Sequence, residues 1–119
     1  MVEPGEAAYP YHFHYGDEEM LIVLEGAPSL RTPGGWRELS EGEVVAFPAG
    51  EASAHQLVNR TGKAVRFLAL STVGDVDLVV YPDSRKVMTN YRRNHPEQFR
   101  AMFKQGDAVD YWEGEAPPA

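Results

Sequence analysis

Tyr11 to Gly26, YHFHYGDEEMLIVLEG, constrains this chain more than any other stretch. Side chains in a strand alternate between faces, so His12 and His14 share one face while Tyr11, Phe13 and Tyr15 share the other. Gly16 and Asp17 supply turn chemistry directly afterwards. Glu18 to Glu25 then reads as a second strand, with Met20, Leu21, Ile22, Val23 and Leu24 apolar on both faces. That run suits a strand covered on both sides and is too short for a core helix. A hairpin here returns Glu19 close to the two histidines. Imidazole nitrogens and a carboxylate oxygen form a donor set for a divalent transition metal. Alone, the histidine pair proves little, since an exposed strand can carry two histidines on one face without chemistry. Glu18 competes with Glu19 for the same role.

The rest of the chain keeps the rhythm of strands. Tyr9–Tyr15 is expected as the first, followed by Ala27–Thr32, Trp36–Leu39, Glu43–Phe47, Ala54–Asn59, Ala64–Thr72 and Asp77–Tyr81. Turn signals such as Pro33-Gly34-Gly35, Ser40-Glu41-Gly42 and Arg60-Thr61-Gly62-Lys63 separate them at roughly eight- to twelve-residue intervals, the spacing of a sandwich or barrel. After Pro82 the pattern changes. Pro96 suits a first helical position, and Phe99, Met102 and Phe103 recur at helical spacing, so a short C-terminal helix is expected to end at Gly106. Asp107–Trp112 is expected to return as a strand or extended arm.

Composition sets bounds. A chain of 119 residues suits one domain. Eighteen acids against eleven scattered Lys and Arg give a net charge of −7, which argues against nucleic acid and anionic membranes as partners. Without cysteine, disulfides and thiolate metal sites are excluded. The longest aliphatic run is far too short to cross a bilayer. Met1–Pro10 has no basic segment followed by an apolar one, so no secretory leader is expected and the cytoplasm is the default location.

A second stretch, Gly42 to Asn59, carries Gly42, Pro48, Gly50, His55 and Asn59 in order. Together with His12, His14, Glu19 and Gly26, this resembles the paired sequence motifs of the cupin family. The spacing favours Glu19 over Glu18. One departure stands out: four residues, Glu51 to Ala54, separate Gly50 from His55, where two are usual. The stretch from Pro10 to Pro82, with the YPDS segment ending at Ser84, also looks like a group of small bacterial cupins. Their segment continues with Gly and Lys, where this chain has Arg85 and Lys86. The short segment before His12 leaves the first sheet small or completed by a partner chain.

The resemblance implies an all-β fold, a small antiparallel jelly-roll β-barrel spanning about residues 9–82, with the helix and arm at 94–113 completing a single domain at 1–119. It implies one divalent metal (Zn, Fe, Mn, Ni or Co) held by His12, His14, Glu19 and His55 in the barrel mouth, and a homodimer. The function expected is that of a metal-dependent dioxygenase or a sugar isomerase-like enzyme, or else a non-catalytic metal- or small-molecule-binding module. Leu21, Leu57 and Asn59 share the ligand face of their strands and are expected to line the pocket for a small-molecule ligand. Tyr81, Asp83 and Lys86 are polar residues following the barrel, but none identifies itself as a catalytic acid or base. His95 lacks the context of a ligand.

Overall fold

The computed structural model describes residues 1–117, and it is built almost entirely of antiparallel strands. In chain order they are β1 (Phe13–His14), β2 (Glu19–Glu25), β3 (Ser29–Thr32), β4 (Gly35–Glu38), β5 (Val44–Phe47), β6 (Gln56–Val58), β7 (Arg66–Ser71), β8 (Val76–Tyr81), β9 (Lys86–Tyr91) and β10 (Phe99–Lys104). They form three sheets, ordered β5-β2-β7, β4-β3-β6 and β1-β8-β9-β10. The core lies between the first two, where Leu21 and Val23 from β2 pack with Leu30, Leu39, Phe47 and Leu57.

The alternation along β2 explains which face is buried. Leu21 and Val23 point inward, while Met20 and Leu24 are exposed and Ile22 is half-buried. The apolar run is therefore covered on one side only, not both. Its outer face continues across the sheet, because Met20 sits opposite Ala46 and Leu70, and Ile22 opposite Val44 and Leu68.

The segment before His12 contributes pairings of its own. Val2 bridges Val65 and Ala7 bridges Val58, so the N-terminal residues lie across β6 and the start of β7. Gly26 marks the turn out of β2 with φ 93°. A Cβ there would come within 2.9 Å of Val65 Cγ2, so both the backbone and the space require glycine.

The expected C-terminal helix is absent. Phe99–Lys104 is a strand, and only a 3-10 turn at Gln105–Asp107 follows. All six residues of β10 pair with β9, from Phe99 opposite Tyr91 to Lys104 opposite Lys86. An unpaired β9 edge would leave a row of backbone donors and acceptors, and pairing satisfies them. The strand divides the supposed apolar helix face, placing Phe99 and Phe103 on one side and Met102 on the other. Pro96 lies in the turn leading to this strand, and Asp107–Trp112 forms no strand. The strands also run past residue 82, where the barrel was expected to close, since the β8–β9–β10 meander adds two beyond β8.

Candidate metal centre

Three short segments bring the chemistry together. A backbone bridge joins His12 and His55, with His12 N–H donating to His55 O at 3.2 Å and His55 N–H to His12 O at 3.0 Å. Two residues on, His14 pairs with Val79 in β1–β8. Glu19 opens β2 beside them. The extra residues before His55 form a single 3-10 turn, Glu51–Ser53, and Gly50 N–H donates to His14 O at 2.7 Å. The longer loop thus folds back on the histidine strand and keeps His55 in place.

The four side chains meet at one oxygen. Glu19 Oε1 lies 3.0 Å from His14 Nε2 and 3.5 Å from the Nε2 atoms of His12 and His55. Donor atoms of His12, His14 and Glu19 lie within 4.8 Å of one another, and His55 adjoins this trio through the shared oxygen. Despite these neighbours, Glu19 Oε1 is buried without an aligned hydrogen-bond donor. Glu18 is exposed and stands apart from the cluster.

The opposite edge of each ring is already committed. His12 Nδ1 donates to Pro10 O at 2.8 Å, His55 Nδ1 to Ser53 O at 2.8 Å, and His14 Nδ1 to Asp77 Oδ2 at 2.6 Å. Each acceptor fixes a proton on Nδ1, which turns Nε2 of each ring toward Glu19 and leaves a lone pair there whenever the ring is neutral. Three inward Nε2 atoms around one carboxylate oxygen suit a cation that takes the place of any proton on them. Nitrogen and oxygen donors of this kind fit a first-row divalent ion.

Electrostatics follow from this geometry. Burial disfavours the charged form of His14, but its contacts with Glu19 and Asp77 outweigh that and raise its pKa to about 9. Burial likewise works against the Glu19 carboxylate, yet the hydrogen-bonding reach of His12 and His14 and the nearby imidazole charge hold it well below the usual carboxylate range. Burial dominates at His55 and lowers it to about 4, so that ring is neutral at pH 7. Phe47 stacks on His55 with centroids 3.5 Å apart, and Tyr9 meets the His12 ring edge-on at 5.0 Å.

Asp77 is the residue that motif spacing missed. Its Oδ2 orients His14, while its Oδ1 accepts from the backbone N–H groups of Gly16, Asp17 and Leu78 at 2.9, 3.2 and 2.9 Å. A Cβ at Gly16 would stand 2.9 Å from Val76 O and 3.0 Å from Asp77 Oδ1, so glycine is what lets the turn approach. One signal was available in the sequence. In DLVVY, Asp77 has the same strand phase as Val79 and Tyr81, an acid in line with inward residues.

A cavity of about 270 Å³ adjoins the centre, lined by His12, His14 and Glu19 together with Tyr9, Phe67, Ala69, Tyr81, Met88 and Arg93 among others. Leu21, Leu57 and Asn59 do not line it. Leu21 and Leu57 belong to the core between the sheets. Asn59 is fully buried as a turn brace, donating to Val2 O and Lys63 O and accepting from Thr61. Sharing a strand face with a ligand places these residues inward, but beneath the site. Asp83 is held on the surface by a two-pronged ion pair with Arg31, whereas Tyr81 reaches the cavity and Lys86 lies over the Tyr81 ring. His95 caps a local turn, its Nδ1 accepting from Glu97 N–H.

The family model for the Cupin_2 cupin domain matches residues 1–71, more than half of the chain. The chain belongs to the Cupin_2 family. Among solved structures, this cupin is similar to a sugar phosphate isomerase of the cupin superfamily from Silicibacter pomeroyi, with 27% identity and a TM-score of 0.78 over 98% of this chain and 67% of that one. It is similar to a putative sugar phosphate isomerase from Acidithiobacillus ferrooxidans, with 28% identity and a TM-score of 0.77 over 92% of this chain and 66% of that one. A Cupin 2 conserved barrel domain protein from Salinispora arenicola matches at 28% identity and a TM-score of 0.51, over 61% of this cupin and 58% of its own length. The chain thus spans about two thirds of the length of the first two structures. No curated protein matches it.

Proposed function

We propose that this cupin holds one divalent metal ion (Zn, Fe, Mn, Ni or Co) through His12, His14, Glu19 and His55, and isomerises a small phosphorylated sugar. The observation that carries the reading is the set of three imidazoles, each tethered through Nδ1, whose Nε2 atoms surround the unpartnered oxygen of Glu19. A bound divalent ion supplies Lewis acidity toward the carbonyl and hydroxyl oxygens of a sugar. The chain's own groups then orient the substrate. Burial, reinforced by the Glu19 charge, raises the Tyr9 pKa, and burial does the same for Tyr81. Both phenols stay protonated at neutral pH and can donate hydrogen bonds. Phe67, Ala69 and Val79 limit water on the remaining wall.

The choice of isomerisation rests on the part of the chain beyond the family match. Residues after 71 provide β8, β9 and β10, and with them Asp77, Tyr81, Met88 and Arg93. The isomerase from Silicibacter pomeroyi is similar over 98% of the chain and therefore over this sheet as well. Assembly as a homodimer in the cytoplasm, acting on a small-molecule substrate, belongs to the same proposal. The uncovered apolar face of β5-β2-β7 supports the dimer.

Metal analysis of untagged protein, alongside aldose–ketose conversion assays on sugar phosphates, tests the reading. One ion per chain is expected, with His55→Ala losing most of it while keeping its β-sheet circular dichroism. Asp77→Asn should weaken metal binding about 10- to 100-fold by loosening His14. Full metal occupancy in His55→Ala, or a closed four-coordinate zinc without turnover, would overturn the proposal.

A further inference from the structure

Of the eight arginines, Arg31, Arg37, Arg66 and Arg92 are matched with Asp83, Glu43, Glu25 and Glu97. Among the described residues Arg60, Arg85, Arg93 and Arg100 have no carboxylate within 4.0 Å, and of these four Arg93 stands apart by its position. It lines the metal cavity, and its one hydrogen-bond partner among the described residues is the neutral Ser71 Oγ at 3.5 Å. Its backbone is held firmly. Arg92 and Asn94 on either side have φ of 52° and 64°, a left-handed region that an arginine seldom adopts. The loop sustains this conformation through Arg92 N–H to Asp75 O at 2.6 Å, His95 N–H to Arg92 O at 3.0 Å and Asn94 N–H to Gln98 Oε1 at 3.2 Å. Strain maintained by a braced loop is a mark of a positioned side chain.

The sheet behind Arg93 adds to the positive field. Register puts Asp77, Asn90 and Arg100 in one row, Val79, Met88 and Met102 in the next, and Tyr81, Lys86 and Lys104 in a third. These rows share the face of His14, which lies opposite Val79. Arg100 Nε reaches Met88 Sδ at 3.2 Å, and Met88 lines the cavity. None of Lys86, Arg100 and Lys104 has a carboxylate within 4.0 Å among the described residues. Asn90 is 5% exposed, and its Oδ1 has no partner. A cavity with a cation-binding end at the imidazoles, Arg93 in its lining and Arg100 behind Met88 suits a ligand with a polyol head and an anionic tail.

We infer that Arg93, backed by Arg100, seats the phosphate monoester of the substrate, a specificity-determining role resting on the isomerase reading proposed above. The planar guanidinium offers two parallel donors to phosphate oxygens, which fixes both distance and direction.

The test uses the metal-loaded full chain and the variants Arg93→Ala, Arg93→Lys and Arg100→Ala. Each is titrated calorimetrically with a hexose 6-phosphate, the parent hexose and inorganic phosphate, and its metal content and melting temperature are recorded. Wild type should prefer the phosphate ester over the hexose. Arg93→Ala should weaken the ester about 10- to 100-fold, as expected for loss of a charge-assisted pair, while hexose affinity and metal content hold. Arg93→Lys should retain an intermediate affinity and Arg100→Ala should lose less than Arg93→Ala. Wild-type affinity for the ester in Arg93→Ala would overturn the inference, as would a wild type indifferent to the phosphate group. Metal content is read separately, so a protein that holds metal yet ignores phosphate refutes the anion seat and leaves the metal centre standing.

Discussion

At the scale of residues, the metal-free centre is a set of opposed titrations. His14 is raised to about 9 and His55 lowered to about 4, each from an ordinary 6.5. Folding raises the proton affinity of His14, so its stabilising contribution is complete below pH 6.5 and disappears as pH climbs through 9. His55 acts in the other direction. Its folded form resists protonation, so stability is lost as pH falls from 6.5 toward 4 while the unfolded ring charges. The metal-free protein should therefore melt highest near pH 6.5. A metal must displace the His14 proton at neutral pH. Binding at pH 7 should release about one proton, visible as a dependence of calorimetric heat on the ionisation enthalpy of the buffer. A flat pH profile of melting for the metal-free form would contradict this assignment of charges.

Among elements, the β8–β9 hairpin shows a local conflict settled by its surroundings. Arg85 sits at φ 57° in the turn, its N–H donating to Tyr81 O at 2.8 Å. The backbone here takes the left-handed form that glycine favours. A side chain in that region costs about 1–2 kcal/mol, part of which glycine returns through its larger unfolded-state entropy. Arg85→Gly should thus stabilise the chain by about 0.5–1 kcal/mol without altering metal content. Chemical denaturation of the two proteins under one metal condition would measure it, and a destabilised variant would show that the Arg85 side chain contributes contacts of its own.

Over the whole molecule, shape and surface agree on what remains uncovered. The structure measures 65 × 28 × 23 Å with a radius of gyration of 17.3 Å. A compact chain of this length would have about 13–14 Å. Residues 105–117 are exposed throughout. On the body, Val44 is 55% exposed and Leu68 and Leu70 are each 49% exposed, side by side on the outer face of β5-β2-β7. A patch of this kind on a sheet is suited to a second copy of the chain. Light scattering should give twice the monomer mass, and a Leu68→Glu, Leu70→Glu double variant should shift it to the monomer. A wild-type monomer at tens of micromolar would dismiss the dimer.

Strand periodicity and turn residues were enough to indicate an all-β fold, because alternation and turn chemistry are local properties of the chain; the likeness to the cupin motifs was needed to choose Glu19 over Glu18 and to join His55 to His12 and His14. Three features were decided only in space. The Phe99–Phe103 pattern matches a helix as well as a strand, and the open edge of β9 chose the strand. Leu57 and Asn59 share the inward phase of a ligand strand, but depth decides between pocket and core, and depth depends on which sheet covers them. Asp77 and Arg93 lie 63 and 79 residues after His14, and no spacing rule links them to it until β8 and the loop after β9 fold across the centre.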